Sequence, residues 1–292
     1  MRHWTKEWQA IETINLVGKG RGAVLLLHGL YGTPQQLQYI GRKLNVVGGY
    51  TVRIPNIQGY SVFNEAIPSQ TTHWQHWLEQ VEAQFDGLKR EHDEVSIAGL
   101  CIGADLCLEL AAKRSPDMHA LCLYSAPLRY DGWNVTWMRW FKFLGYYTPV
   151  RFMMSITERS PYGLKDERIR QWVANQMARR GTSALGSSQS PLTGVFESEK
   201  LMKDVRQNLH KVSVPTLIMH AIEDDLASPH NADIIEKGVS SQQVKKILLE
   251  NCYHIITMDF EKERVAQETL EFIRQRSAQI VQDSSQGLRL VG

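Results

Sequence analysis

Six short apolar runs, most of them followed by a segment with helical periodicity, set the strongest constraint on this chain. AVLLLHGL (23–30), YTVRIPN (50–56), EVSIAGL (94–100), ALCLYSAP (120–127), PTLIMHA (215–221) and VKKILLE (244–250) each have a strand's length and end at turn residues. Apolar residues recur every three or four positions between them. Trp74, Trp77, Leu78, Val81, Phe85 and Leu88 mark one helix to about Arg90, and Leu106, Leu110 and Ala111 mark another over 101–113. Further helices are expected near 34–44, 230–238 and 262–277, with a polar, frayed tail from Gln279. Near-continuous apolar strands alternating with helices predict an α/β fold with a mainly parallel, doubly wound sheet.

The alternation lapses between Arg129 and Val214, so 86 residues read as an insertion. Residues 1–128 and 215–292 then form one catalytic-type domain, and 129–214 a mostly helical cap. The 292-residue length permits this, because large α/β folds often reach it as single domains.

Composition closes several other routes. The 33 Lys and Arg nearly balance 31 Asp and Glu, which argues against a nucleic-acid partner. The four cysteines (Cys101, Cys107, Cys122 and Cys252) contain no C-x-x-C pair and sit in apolar surroundings, as reduced cytosolic thiols do. No run approaches the roughly twenty apolar residues of a membrane span. The N-terminus lacks a signal peptide's apolar region. A cytoplasmic location without metal or cofactor is the resulting expectation. His73 and His76 could touch one metal ion, but no third ligand lies nearby in sequence.

The chemistry concentrates in Gly99-Leu100-Cys101-Ile102-Gly103, between a strand and a helix. G-x-nucleophile-x-G in that context is a nucleophile elbow. Its flanking residues must be nearly free of side chain, and the N–H after the nucleophile points at a developing oxyanion. Such a nucleophile needs a base and an acid to orient it, in the chain order nucleophile, acid, histidine. Glu223-Asp224-Asp225 follows one late strand and Tyr253-His254 follows the next. Both lie past the carboxyl end of a strand, where open α/β sheets build their sites.

With these segments in view, the sequence resembles the α/β-hydrolase fold, and within it bacterial carboxylesterases and monoacylglycerol lipases. The matching segments are LLLHGLYGTP (25–34), TTHWQHWLEQVE (71–82), AGLCIGA (98–104), PTLIMHAIEDDLASP (215–229) and CYHIITMDFEKERV (252–265). The resemblance implies Cys101 as nucleophile, Asp224 as acid with Asp225 as its rival, and His254 as base. It places the oxyanion hole at the N–H groups of Leu30 and Ile102, and gives His28 a structural part.

Those esterases carry serine at the elbow. A cysteine there resembles dienelactone hydrolases and polyhydroxyalkanoate synthases. A Cys–His pair exchanges acyl groups readily with thioesters, so esters or thioesters of medium or long acyl chains are the expected substrates. Acyl transfer to an alcohol or amine is the alternative. A non-catalytic receptor for an apolar ligand is the reading from another class, and it would need neither acid nor base.

The insertion supplies the remaining clues. Nine of the chain's 26 aromatic residues lie between Tyr130 and Phe152, with Trp133, Trp137 and Trp140 at helical spacing and Phe141 beside them. The stripe either packs as core or lines an acyl tunnel. Residues 129–214 hold 14 Lys and Arg against seven Asp and Glu, a basic surface suited to coenzyme A or an acyl carrier protein, or an ordinary solvated face.

Overall fold

The computed structural model describes residues 12–62, 73–135 and 146–289. Its centre is a seven-stranded sheet of β1 (Ile14–Leu16), β2 (Gly22–Leu27), β3 (Thr51–Ile54), β4 (Glu94–Leu100), β5 (Leu121–Tyr124), β8 (Thr216–Ala221) and β9 (Val244–Leu249), in the order β1-β3-β2-β4-β5-β8-β9. All neighbours are parallel except β1, which pairs antiparallel with β3 at the edge. This is the α/β-hydrolase fold, as the sequence predicts. Strands β2, β5 and β8 are buried at every position, and β4 at all but Glu94. A strand apolar on both faces requires cover on both, which is why these four read as continuous apolar runs.

Helices supply that cover. α1 (Gln38–Val46) packs on the closing helix α7 (Lys262–Arg289), whereas α2 (Trp74–Glu91) and α3 (Ile102–Arg114) pack together. α6 (His230–Gly238) joins β8 to β9. Helix α3 is buried without interruption from Ile102 to Ala111, so it carries no amphipathic stripe.

Two expectations change at the ends. Strand β1 is three residues long, too short to leave a periodic signal. Helix α7 continues to Arg289 where fraying was expected, because no proline and, before Gly287, no glycine interrupts it.

Between β5 and β8 the described residues form a two-stranded antiparallel ladder of β6 (Ser155–Thr157) and β7 (Gln189–Pro191), with two helices, α4 (Glu167–Arg180) and α5 (Leu192–Asn208). The ladder gave no signal in the sequence. These helices differ in their attachment. Leu201, Met202 and Val205 of α5 join the main core against α3, whereas Val173 of α4 belongs to a small separate cluster with Leu164 and Leu185.

Candidate active site

The elbow is built by steric exclusion. A Cβ on Gly99 would lie 2.3 Å from the Gly103 carbonyl oxygen, and one on Gly103 would lie 2.4 Å from the carbonyl of Leu27 and 2.5 Å from that of His28. Helix α3 can therefore start against β2 and β4 only with glycine at both places. Between them Cys101 takes φ 55° and ψ −130°, a conformation that costs a side-chain-bearing residue energy and persists only where its surroundings enforce it. Its N–H donates to Tyr124 O at 2.9 Å, tying the elbow to β5.

The turn after β2 passes over the cysteine. A Cβ on Gly29 would be 3.4 Å from Cys101 Cβ, so the Gly29–Leu30 backbone lies against the nucleophile position. Gln36 holds that turn, accepting from Gly29 N–H at 2.8 Å and donating to Leu185 O at 2.6 Å. Neither the Leu30 nor the Ile102 N–H donates to another group among the described residues. His28 stays outside the chemistry. Its Nδ1–H donates to Gly29 O and its Nε2 accepts from Ser61 Oγ, and burial lowers its pKa to about 4.

His254 and Asp224, the candidate base and acid, are in contact. His254 Nδ1 lies 2.8 Å from Asp224 Oδ2 and 3.0 Å from Oδ1. Asp224 is further fixed by the N–H groups of Leu226 at 2.9 Å and Ala227 at 2.8 Å, and His220 Nε2 stands 3.2 Å from its Oδ2. Burial alone would raise the carboxyl's pKa, but the His254 and His220 imidazoles outweigh it and hold it below the usual carboxylate range. On the His254 ring burial works downward, yet Asp224 and the Cys101 sulfur together raise it well above an ordinary histidine. His254 Nε2 is buried, and beside Asp224 the Cys101 sulfur is the group that acts on the ring.

Asp225 is in a different position. It touches the backbone, accepting from His254 N–H at 3.3 Å and from Gly163 N–H at 3.2 Å, while its neighbour holds the ring.

Trp133 is half exposed and serves as a brace. Its Nε1–H donates to Glu223 O at 3.0 Å, and its ring meets Tyr253 edge-on at 5.4 Å. Trp137, Trp140 and Phe141 lie outside the described residues. His73 and His76 are exposed, with rings 6.4 Å apart and carboxylates of Glu197 and Glu79 beside them, and no metal-type cluster occurs among the described residues. All four cysteines are buried free thiols. No helix among the described residues is long and apolar enough to cross a membrane.

Two residues of the site went unseen in the sequence. His220 was legible in principle, as a histidine inside the apolar strand PTLIMHA. Asp259, a buried carboxylate five residues after His254, gave no signal of its own.

A family model described as serine aminopeptidase, S33, matches residues 18–262. The chain belongs to that family. It is an enzyme of the α/β-hydrolase superfamily. The thermostable monoacylglycerol lipase of Bacillus sp. (strain H-257) is 25% identical over 253 residues, 87% of this chain and 90% of that one. The carboxylesterase of Bacillus subtilis (strain 168) is 24% identical over 257 residues, covering 87% and 93%. Among solved structures, the monoacylglycerol lipase of Paleococcus ferrophilus superposes with a TM-score of 0.74 at 15% identity, over 92% of this chain and all of that chain (100%). The likeness to that solved structure runs over nearly the whole chain and shows the shared fold.

Proposed function

We propose that the protein is an esterase-type acyl hydrolase acting through Cys101, His254 and Asp224. The observation that carries this reading is the His254 ring held by Asp224 at 2.8 Å, with the sulfur of Cys101, raised on a strained elbow, acting on the same ring. The two relatives named as monoacylglycerol lipase and carboxylesterase support a carboxylic ester substrate. The cysteine extends the class to thioesters.

In this mechanism Cys101 gives its proton to His254 Nε2, and the sulfur attacks the acyl carbonyl carbon. The oxyanion is received by the N–H groups of Leu30 and Ile102. Collapse expels the alcohol or thiol, which takes the proton from His254, and leaves an acyl-thioester on Cys101. Water then attacks that thioester with His254 as base, releasing the carboxylic acid and restoring the thiol. Asp224 holds the tautomer that leaves Nε2 bare and stabilises the imidazolium.

Residues 129–214 act as a cap in this reading. Their aromatic residues contact the acyl chain, and their basic surplus favours an anionic carrier such as coenzyme A or an acyl carrier protein. An acyltransferase would form the same intermediate and differ only in what attacks it.

Intact-mass measurement after exposure to a panel of activated esters and acyl-thioesters tests the proposal. One acyl mass should appear on the wild type and vanish in Cys101→Ala. An acyl adduct that persists in that variant would overturn the assignment.

A further inference from the structure

The inserted segment is bonded directly to the loop that carries the base. Asp259 is buried, and its carboxylate accepts four backbone N–H groups. Two come from the insertion, Lys165 at 2.7 Å and Asp166 at 2.9 Å, and two from its own loop, Tyr253 at 2.9 Å and Phe260 at 3.0 Å. Tyr253 immediately precedes His254. One oxygen, Oδ2, therefore joins Tyr253, the residue before His254, to Lys165, which lies 94 positions upstream of Asp259.

Gly163 closes the same junction from the other side. Its carbonyl accepts from Ile255 N–H at 2.8 Å, and a Cβ on it would lie 2.7 Å from the Ile255 side chain and 3.2 Å from His254 Cβ. The base is thus held between one residue bonded to Asp259 and another bonded to Gly163.

We propose that Asp259 is a positioning residue for the acyl-transfer chemistry, coupling the inserted segment to the placement of His254 so that the base is aligned only while that segment is docked. The inference rests on His254 being the base, as argued above. A carboxylate is needed because four donors converge on it. An amide offers one accepting oxygen and must turn its NH₂ group toward two of those donors. Loss of that pair frees either Lys165 and Tyr253 or Asp166 and Phe260. A shift of the base by about 1 Å costs about 10²-fold in rate.

The test compares Asp259→Asn, Gly163→Ala and the double variant with wild type, using a chromogenic ester and iodoacetamide alkylation of Cys101 across pH. Each single variant should lower kcat by about 10–10²-fold with KM within about twofold. Both should slow alkylation of Cys101 near neutral pH about tenfold, because a misplaced His254 takes the thiol proton less readily. The double variant should lose little more than either single one, since both break the same junction.

A kcat for Asp259→Asn within about twofold of wild type would overturn the proposal. So would a lowered melting temperature with an unchanged alkylation profile, the signature of a purely structural role. If Asp259→Asn does not fold, Gly163→Ala carries the same two readouts. Full activity in Cys101→Ala is a separate outcome that would reject the underlying triad instead.

Discussion

The elbow at Cys101 and the loop at His254 face one another, but they are held in place in opposite ways. The elbow is fixed by excluded volume: a Cβ on Gly99 meets Gly103, one on Gly103 meets the Leu27 and His28 carbonyls, and Cys101 is forced to φ 55°. The His254 loop has no such local logic. Its shape comes from Asp225, Asp259 and Gly163, with Gly163 and the donors on Asp259 reaching it from the inserted segment. Both need the tertiary fold, but the elbow leaves its mark on residue type within five positions, whereas the His254 loop is shaped by bonds from distant segments.

The widest separation between the two modes comes from paired substitutions in the elbow. Cys101→Ala removes the sulfur and leaves the backbone its strained turn, so turnover should fall to background while the thermal melt stays near wild type. Gly103→Ala keeps the sulfur but drives a Cβ to 2.4 Å from the Leu27 carbonyl, a clash with backbone that cannot yield. Loss of soluble, cooperatively melting protein is the expected result for that variant. A folded, active Gly103→Ala would show that the turn is not sterically fixed.

Next in size is the contrast between adjacent carboxylates. Asp224→Asn strips the ring of its charged partner and presents an amide that can favour the wrong tautomer, an effect of about 10⁴-fold in a comparable serine triad. Asp225→Asn disturbs two backbone hydrogen bonds and should cost about tenfold, the scale of 1–2 kcal/mol. Measuring kcat/KM for both checks the ranking, and the reverse order would transfer the acid's role to Asp225.

That pair also shows what sequence alone conveys. The strands β2, β4, β5 and β8 were readable because burial on both faces leaves only apolar residues, and the elbow was readable because sterics leave only glycine. Only the resemblance favoured Asp224 over Asp225, since one residue of register decides which side chain meets the ring and which meets the backbone. Asp259 was invisible because its donors are main-chain N–H groups of Lys165 and Asp166, and main-chain donors leave no mark on residue type. The ladder of β6 and β7 was hidden by length, with three residues per strand.

A smaller effect sits directly behind the elbow. Asp105, on the first turn of α3, is buried with neither carboxyl oxygen partnered, and burial holds its pKa well above the usual range against the partial opposition of Arg206. Below the ordinary aspartate pKa both folded and unfolded chains keep this proton. As pH rises the unfolded chain releases it while the folded chain retains it, so stability declines. Asp105→Asn keeps the shape and removes that dependence. Its melting temperature relative to wild type should climb between about pH 4 and about pH 7, with a gain of roughly 0.5–2 kcal/mol at the upper end. A difference that stays flat with pH would mean that Asp105 is ionised in the folded protein.

The last contrast sets the rigid catalytic frame against the basic, aromatic-rich segment inserted into it. The frame offers the same carbonyl geometry to every acyl group, so any discrimination by chain length must come from apolar surface elsewhere. The cluster from Tyr130 to Phe152 is the richest source in the sequence. Each methylene moved from water into such a surface gains about 0.8 kcal/mol, a three- to fourfold rise in kcat/KM per carbon until the surface is filled. Medium and long acyl chains should therefore exceed acetyl by orders of magnitude. The surplus of 14 basic over seven acidic residues in 129–214 should add a preference for an anionic carrier over a neutral ester. That preference should shrink as salt screens it, since exposed charges lose most of their mutual influence beyond about 10 Å at about 0.1 M ionic strength. Acetyl to dodecanoyl thioesters, assayed at two ionic strengths, read both effects in one experiment. A flat chain-length profile would assign the aromatic cluster to plain packing, and a salt-independent rate would reduce the basic surface to a solvated face.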